Sequence, residues 1–338
     1  MPDETIKVNY SGAVNAALRR VLSEVPETLL YGEDVAKPGG VHGVTRGLWK
    51  EFGDRVFDTP ISESAILGSA VGAAMMGRRP IVEIMWADFF LVALDQMINQ
   101  AANVRYVSEG RLTAPLVVRT QQGNSPGACA QHSQNLEALF LHTPGLRVAM
   151  PSTPQDAYDV MVSAVHCDDP VVVFDNRTLY FGEKQEIITG RPPAPVGGSH
   201  IRRTGTEATV VTWGAVTHRV LEAADRLAAR GTPVTVIETP WLNPFDTDTV
   251  VASVARTGGR LAVVHEANTT AGFGAEVITR IAESGVLSGR PVRIGAPDSR
   301  IPAAPELAAH LVPGVDRITE ELSSAFSLDK GPSCHPAH

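Results

Sequence analysis

The sequence predicts an α/β protein of two three-layer αβα domains with mostly parallel sheets. Short apolar runs of β-branched residues alternate with longer runs of helical period, the pattern of strands joined by crossover helices. The alternation stops at a stretch rich in proline and glycine, TGRPPAPVGG, and then restarts. The chain has 338 residues, beyond the roughly 250–300 at which a single core stops growing. The expected boundaries are a first domain over residues 5–180, a linker over 181–200, a second domain over 201–326 and a disordered tail over 327–338.

In order along the chain, residues 11–24 place Val14, Ala17, Leu18 and Val21 on one helical face. Thr28–Tyr31 reads as a strand, with Gly32, Glu33 and Asp34 just past its carboxyl end, where open α/β sheets put ligand-binding groups. A glycine-rich loop spans 36–48. The stretch from Arg55 to Trp86 then organises the domain: a short strand Val56–Asp58, a turn at Thr59-Pro60, a helix of small and apolar residues, and a strand Ile81–Trp86. Asp88–Tyr106 reads as one long helix and Pro115–Arg119 as a strand. Gln121–Ser133 has no periodicity, and a loop of that length is usually functional or mobile. Leu146–Met150 is a strand, Thr153–His166 a helix with a Thr-Pro start, and Val171–Phe174 a strand. The second half repeats the scheme. Strands are expected at Ala208–Trp213, Pro233–Glu238, Leu261–His265 and Pro291–Ile294. Helices are expected at Ala215–Ala229, Asp246–Thr257, Gly272–Ser284 and from Glu306 onward.

Composition narrows the function. A formal net charge of −8, without a Lys/Arg cluster, argues against nucleic acid as a partner. Cys129, Cys167 and Cys334 have no CxxC spacing and fit a reduced, cytoplasmic setting. The opening MPDETIKVNYSG lacks the regions of a signal peptide. No apolar run reaches the ~18 residues of a membrane span.

Glu63 is the residue to explain. It stands at the first turn of a helix so apolar that burial is expected. It can be a helix-start acid favoured by the macrodipole, or a carboxylate that exchanges a proton with a base bound in an apolar pocket. His132, in AQHSQ at the end of the long loop, is either structural or a substrate-facing acid/base. Met85 and Phe89 are ordinary core, or one wall of a slot for a flat ring with Ile61 as the other. Glu33 is a solvated loop acid or a ligand contact. Motifs of other classes are missing: no GxxxxGKS/T or HExxH occurs, and Gly272-Phe273-Gly274 lacks the third glycine of a dinucleotide fingerprint.

Several ordered motifs together resemble the beta subunits of thiamine-diphosphate-dependent 2-oxoacid dehydrogenases, of the pyruvate, branched-chain and acetoin types. They are RGLWKEFGDRV, FDTPISES, VEIMWADF, LDQMIN, AQHSQ, PGLRVAMPSTPQDA and DDPVVVF in the first half, and HEANTTAGFGAEV and APDSRIPAAPELA in the second. The resemblance covers residues 5 to 325 and implies a transketolase pyrimidine-binding domain followed by a transketolase C-terminal domain. It implies that Glu63 hydrogen-bonds the aminopyrimidine ring and so promotes the form that removes the thiazolium proton. It further implies that Glu33, Ile61, Met85 and Phe89 contact that ring, and that His132 lies near the substrate. Potassium is implied at the carbonyls of Leu116, Ala164, Cys167 and Asp169. The diphosphate and Mg²⁺ are expected on a separate alpha subunit with a GDG…NN motif, absent here, in an α2β2 heterotetramer that passes its acyl group to a lipoyl-bearing acyltransferase. VEIMWADF and VRTQQGN look somewhat closer to the acetoin type. Other readings are half of a split carboligase, a glutamate-nucleophile CoA-transferase and a non-catalytic flavodoxin-like module.

Overall fold

The computed structural model describes residues 4–125 and 127–328. Residues 329–338, with Cys334 and most of the tail expected from residue 327, lie outside the described residues, as does Pro126. The chain divides into two compact units. The first runs to Gly198 and includes Pro240–Phe245 and Arg300–Ala304; the second takes the remainder.

In chain order the strands of the first unit are β1 (Glu4–Val8), β2 (Thr28–Gly32), β3 (Val56–Asp58), β4 (Arg79–Ile84), β5 (Val117–Gln122), β6 (Arg147–Ala149), β7 (Val171–Asn176) and β8 (Gln185–Thr189). The second unit contributes β9 (His200–Arg203), β10 (Ala208–Thr212) and β11 (Val234–Glu238). Then β12 (Trp241–Asn243) joins the first unit's sheet, and β13 (Leu261–Asn268) and β14 (Val292–Ala296) complete the second.

The first unit is a seven-stranded sheet in the order β12-β6-β7-β5-β4-β2-β3. All its pairings are parallel except the β12 edge, which runs antiparallel to β6. Every residue of β5 and β7 is buried, as strands covered on both faces require. The helix Tyr10–Glu24 starts under an Asn9 cap, whose side chain accepts from the Gly12 amide at 3.0 Å. Its Val14, Ala17, Leu18 and Val21 join one apolar cluster with Ala157, Met161 and Ala164 of the helix Pro154–His166. The helix Glu63–Met75 is not part of that cluster and packs instead on β4 and the run that follows it.

Asp88–Tyr106 is not one regular helix. Helical turns at Ala87–Phe90 and Val104–Val107 flank 3₁₀ turns at Leu91–Ala93 and Ala101–Asn103 and a π turn at Gln96–Gln100. The buried positions explain this: Ala87, Phe90 and Ala93 recur every third residue, the 3₁₀ spacing, whereas Met97 and Ala101 follow at four. The expected linker over 181–200 also holds structure. Its β8 pairs antiparallel with β1, Ile187 against Ile6, which ties the chain's first strand to the end of the first unit. Residues so far apart show no local signal of pairing.

The second unit is a five-stranded sheet, β14-β13-β10-β11-β9, parallel except for β9. Val210, Val236, Val264 and Ile294 form its core with Val216 and Val220 of one helix and Ile318, Leu322 and Phe326 of the last helix, Val315–Leu328. The terminal helix expected from Glu306 is two pieces, the first being Pro305–Ala309.

His265 on β13 is fully buried and stacked on Trp213, ring centroids 5.3 Å apart and planes within 5°. A Cβ on Gly274 would come within 2.7 Å of its ring, so the cradle requires glycine. Burial, then the Arg293 charge, push its pKa from 6.5 to about 4, with the Ala267 backbone opposing. Between those values the unfolded chain binds the proton and the folded chain does not. Stability is therefore complete above pH 6.5 and lost as pH falls toward 4. We expect a site contribution about 2 kcal/mol smaller at pH 5 than at pH 7. Denaturant unfolding followed by tryptophan fluorescence measures it. A His265→Phe variant with the same pH dependence as the wild type would refute the assignment.

Candidate active site

Four adjacent parallel strands, β7, β5, β4 and β2, end on the same edge of the first sheet. Glu33 follows β2, Met85 and Trp86 follow β4, Gly123 follows β5 and Arg177 follows β7. From β2 the chain steps outward to β3 and returns to β4 on the other side of β2. The crevice at such a reversal, beyond the carboxyl ends, is the ligand site of open α/β sheets.

Two loops are stitched together there. The Thr59 amide donates to the Gly32 carbonyl at 2.9 Å, and the Asp58 carboxylate accepts from the Ala36 amide at 2.7 Å. Gly32 has no room for a side chain, since a Cβ would lie 2.5 Å from the Glu83 carbonyl oxygen. These contacts bring Glu33 toward Glu63 at the start of its helix. Burial, then the Glu63 charge, then Asp34, raise the Glu33 carboxyl above its ordinary value. Glu63 is half-buried, in a first turn whose Ser62 cap makes no side-chain hydrogen bond. Its neighbours there include free backbone N–H groups that favour an acid.

The helix behind Glu63 is not fully buried, contrary to expectation. Ile66, Leu67, Ala70, Val71 and Ala74 face the core, while Ala65, Gly72 and Met75 are exposed and Met76 is 85% exposed. A Cβ on Gly72 would meet nothing within 4 Å, so no contact within this chain demands that glycine. A helix apolar all round is one that something else covers. Ile61 is 80% exposed, whereas Met85 and Phe89 are half-buried. One wall of the expected slot is thus set in the sheet edge, and the other stands open.

His132 is half-buried and its ring meets two others edge-on: Trp86 at 5.3 Å and 89°, and Phe89 at 5.3 Å and 78°. The long loop that carries it is pinned rather than loose. Arg177 donates to the carbonyls of Gly123 and His132. Gln134 donates to Asp88 at 2.8 Å, and Gln122 reaches the Leu136 amide at 3.2 Å and Glu137 at 3.1 Å. His42, from the glycine-rich loop, lies on another side of Trp86 at 6.2 Å. His42, Trp86 and Arg177 escaped the sequence reading. The signal that could have found Trp86 and Arg177 is their place one or two residues past a strand end.

Beneath the site runs a buried ionic network. Arg119 on β5 donates to Glu83 and Asp175 at 2.6 Å each and to the Tyr180 hydroxyl at 2.9 Å. Tyr10 donates to Asp175 at 2.8 Å. Burial alone would lower Arg119, but Glu83, Tyr180 and Asp175 hold its guanidinium charged.

The residues expected around potassium sit elsewhere. Leu116, Cys167 and Asp169 precede β5 and β7, at the amino ends of the strands, beside a cavity of about 770 Å³ lined by Tyr106, Ala114, Gly145 and Asp169. The Leu116 carbonyl accepts from the Val171 amide at 2.9 Å and that of Ala164 from the Cys167 amide at 3.2 Å. The Cys167 carbonyl accepts from Arg79 at 3.1 Å, and the Asp169 carboxylate pairs with Arg105 and Arg147. One of these four carbonyls thus already accepts from a guanidinium. Among the described residues no group of three or more His, Cys, Asp or Glu is placed to hold a metal ion.

Residues 6–182 match the family model of the transketolase pyrimidine binding domain, and residues 197–318 that of the transketolase C-terminal domain. The chain is 38% identical over 324 residues to the beta subunit of the acetoin:2,6-dichlorophenolindophenol oxidoreductase of Cupriavidus necator, covering 92% of this chain and 95% of that protein. It is 40% identical over 293 residues to the pyruvate dehydrogenase E1 component subunit beta of Bacillus subtilis, covering 86% and 90%. Among solved structures it is similar to a split gene transketolase described as an inactive beta4 tetramer. The TM-score is 0.79 and the identity 22%, over 95% of this chain and 99% of that one. At that identity the likeness speaks for the fold.

Proposed function

The chain belongs to the transketolase-like family of thiamine-diphosphate-dependent 2-oxoacid and acetoin dehydrogenase beta subunits, and on that premise we propose that Glu63 is its proton relay. The chain is an enzyme subunit acting on an oxo or hydroxyketone donor, with an alpha subunit as partner. One observation carries the assignment of Glu63. It opens an apolar helix at the sheet's reversal point, close enough to Glu33 to raise that carboxyl.

The residues present fit the pyrimidine end of the cofactor. Two carboxyls stand beside the half-buried apolar side chains of Met85 and Phe89, with the Thr59 hydroxyl buried and without a partner among the described residues. Bound thiamine diphosphate supplies the electron sink for the pair released when a carbon–carbon bond of the donor breaks. Glu63 holds a proton at a ring nitrogen and takes it back; Glu33 helps to orient the same ring. Met85, Phe89 and Ile61 give the ring apolar walls and keep water off it. His132, fixed between Trp86 and Phe89, faces the donor and assists acyl transfer. The diphosphate and Mg²⁺ fall to the alpha subunit with its GDG…NN motif, in an α2β2 assembly serving a lipoyl-bearing acyltransferase. The uncovered face around Ile61, Met76 and Val92 supports such a partner. No role for potassium is proposed.

No described helix is long and apolar enough to cross a membrane. A cytoplasmic setting is part of the proposal, supported by the free thiols of Cys129 and Cys167. A glutamyl thioester, as a CoA-transferase would form, is not expected on Glu63.

The test is reconstitution with a GDG…NN alpha chain, followed by proton exchange at the cofactor and turnover of pyruvate, branched-chain 2-oxoacids and acetoin. A complex that assembles but leaves exchange at the free-cofactor rate would sink the proposal. In the same complex, His132→Ala should leave exchange intact and cut turnover about 100-fold or more; unchanged turnover would refute a chemical role for His132.

A further inference from the structure

We infer that His42 is the proton acceptor for the hydroxyl of an acyloin donor, a 2-hydroxyketone. This rests on the function proposed above and names the substrate class of that same site.

His42 is held by its own loop. Gly39 and Gly40 have φ of +84° and +82°, a region that favours glycine. The Gly40 amide donates to Asp34 at 2.7 Å, the Thr45 amide to Gly39 at 3.0 Å and the Thr45 hydroxyl to Val35 at 2.6 Å. The imidazole so fixed packs against Trp86 at 6.2 Å, Tyr180 at 5.4 Å and Phe181 at 6.1 Å. Trp86 is the same ring that seats His132, and Arg177 lies 5.8 Å over it. The indole therefore has an imidazole at 6.2 Å and another at 5.3 Å.

The polar atoms around this ring are unspent. His42 Nε2, Trp86 Nε1, Asp88 Oδ2 and Ser133 Oγ are all buried without a hydrogen-bond partner among the described residues. Groups in that condition are costly unless something else satisfies them. The charged groups facing His42 are Arg177 and Arg119, the latter paired with Glu83 and Asp175. Burial, then these cations, lower the His42 pKa, so the ring is neutral at pH 7 and able to accept a proton.

Only one donor class needs that acceptor. A 2-oxoacid loses CO₂ from a carboxylate that carries no proton. An acyloin carries a hydroxyl beside its carbonyl, and its cleavage releases an aldehyde. The O–H bond breaks and its proton goes to His42 Nε2. The O–H electron pair becomes the second bond of the aldehyde C=O. The carbon–carbon bond breaks, and its pair stays with the former carbonyl carbon.

The test uses the assembled complex with wild type, His42→Phe and His42→Asn, the last keeping polarity but no base. Acetoin and pyruvate are the probes. The ratio of kcat/KM for acetoin to that for pyruvate should fall about 100-fold or more in both variants. In ¹⁵N-histidine-labelled complex, acetoin should shift the His42 resonance and pyruvate should not. An unchanged ratio, an equal loss on both probes, no acetoin turnover by wild type, or no acetoin-dependent shift overturns the inference. Failure of cofactor proton exchange in the wild type instead overturns the parent proposal, so the two failures are distinguishable.

Discussion

Glu63→Gln is expected to slow proton exchange at the bound cofactor by about 100-fold or more, while the assembled complex keeps its size. Glutamine has the shape of glutamate and can hydrogen-bond a ring nitrogen, but it cannot give up and recover a proton. Helix formation is untouched, because the buried face Ile66, Leu67, Ala70, Val71 and Ala74 carries the packing. Hydrogen–deuterium exchange at the cofactor, followed by NMR in rapid-quench samples, measures the rate, and sedimentation the assembly. Glu33 offers an internal check. Burial and the Glu63 charge raise its carboxyl, in that order. Removing the Glu63 charge should bring Glu33 back down toward its ordinary value, read by ¹³C-carboxyl titration. Wild-type exchange in Glu63→Gln would end the relay assignment, whatever happened to turnover.

Arg119→Met is expected to cost about 3–5 kcal/mol of stability in the first unit, because it strands two buried carboxylates. Glu83 and Asp175 approach the guanidinium at 2.6 Å from β4 and β7, and the side chains of all three are 1–2% exposed. The attraction between the partners offsets their desolvation only while all are present. Adding Glu83→Gln and Asp175→Asn to Arg119→Met should therefore recover much of the loss, which simple loss of packing would not allow. Denaturant unfolding of the full chain measures both. A loss below about 1 kcal/mol, the scale of a surface pair, would show that the network does not hold the sheet. It spans the three central strands whose ends carry Met85, Gly123 and Arg177, so the variant should also lose turnover.

Much of this was legible in the sequence. The Thr-Pro start before residue 154 is a cap in the structure, Thr153 accepting from the Asp156 amide at 3.2 Å. The strand expected at Thr28–Tyr31 is β2, one residue longer. Periodicity failed where spacing mixes, as in Ala87–Val107, because FFLVAL is apolar at every phase and hides which turn type buries it. It also failed at β8, whose partner β1 lies at the far end of the first unit's sequence, Glu4 facing Thr189. The family was legible from ordered motifs, none specific alone.

The sequence by itself determined the alternation of strands and helices, the family and the isolation of Glu63 in an apolar helix. These are local or linear properties, set by side-chain period and residue order. Tertiary structure decided which strand ends meet. Glu33, Trp86, Gly123 and Arg177 share an edge only because the sheet order is β7-β5-β4-β2, which no local pattern encodes. It also brought His42 to the indole that seats His132. And it left one face of the Glu63 helix uncovered, since a hydrophobic stripe shows that a face will be buried without showing which chain will bury it.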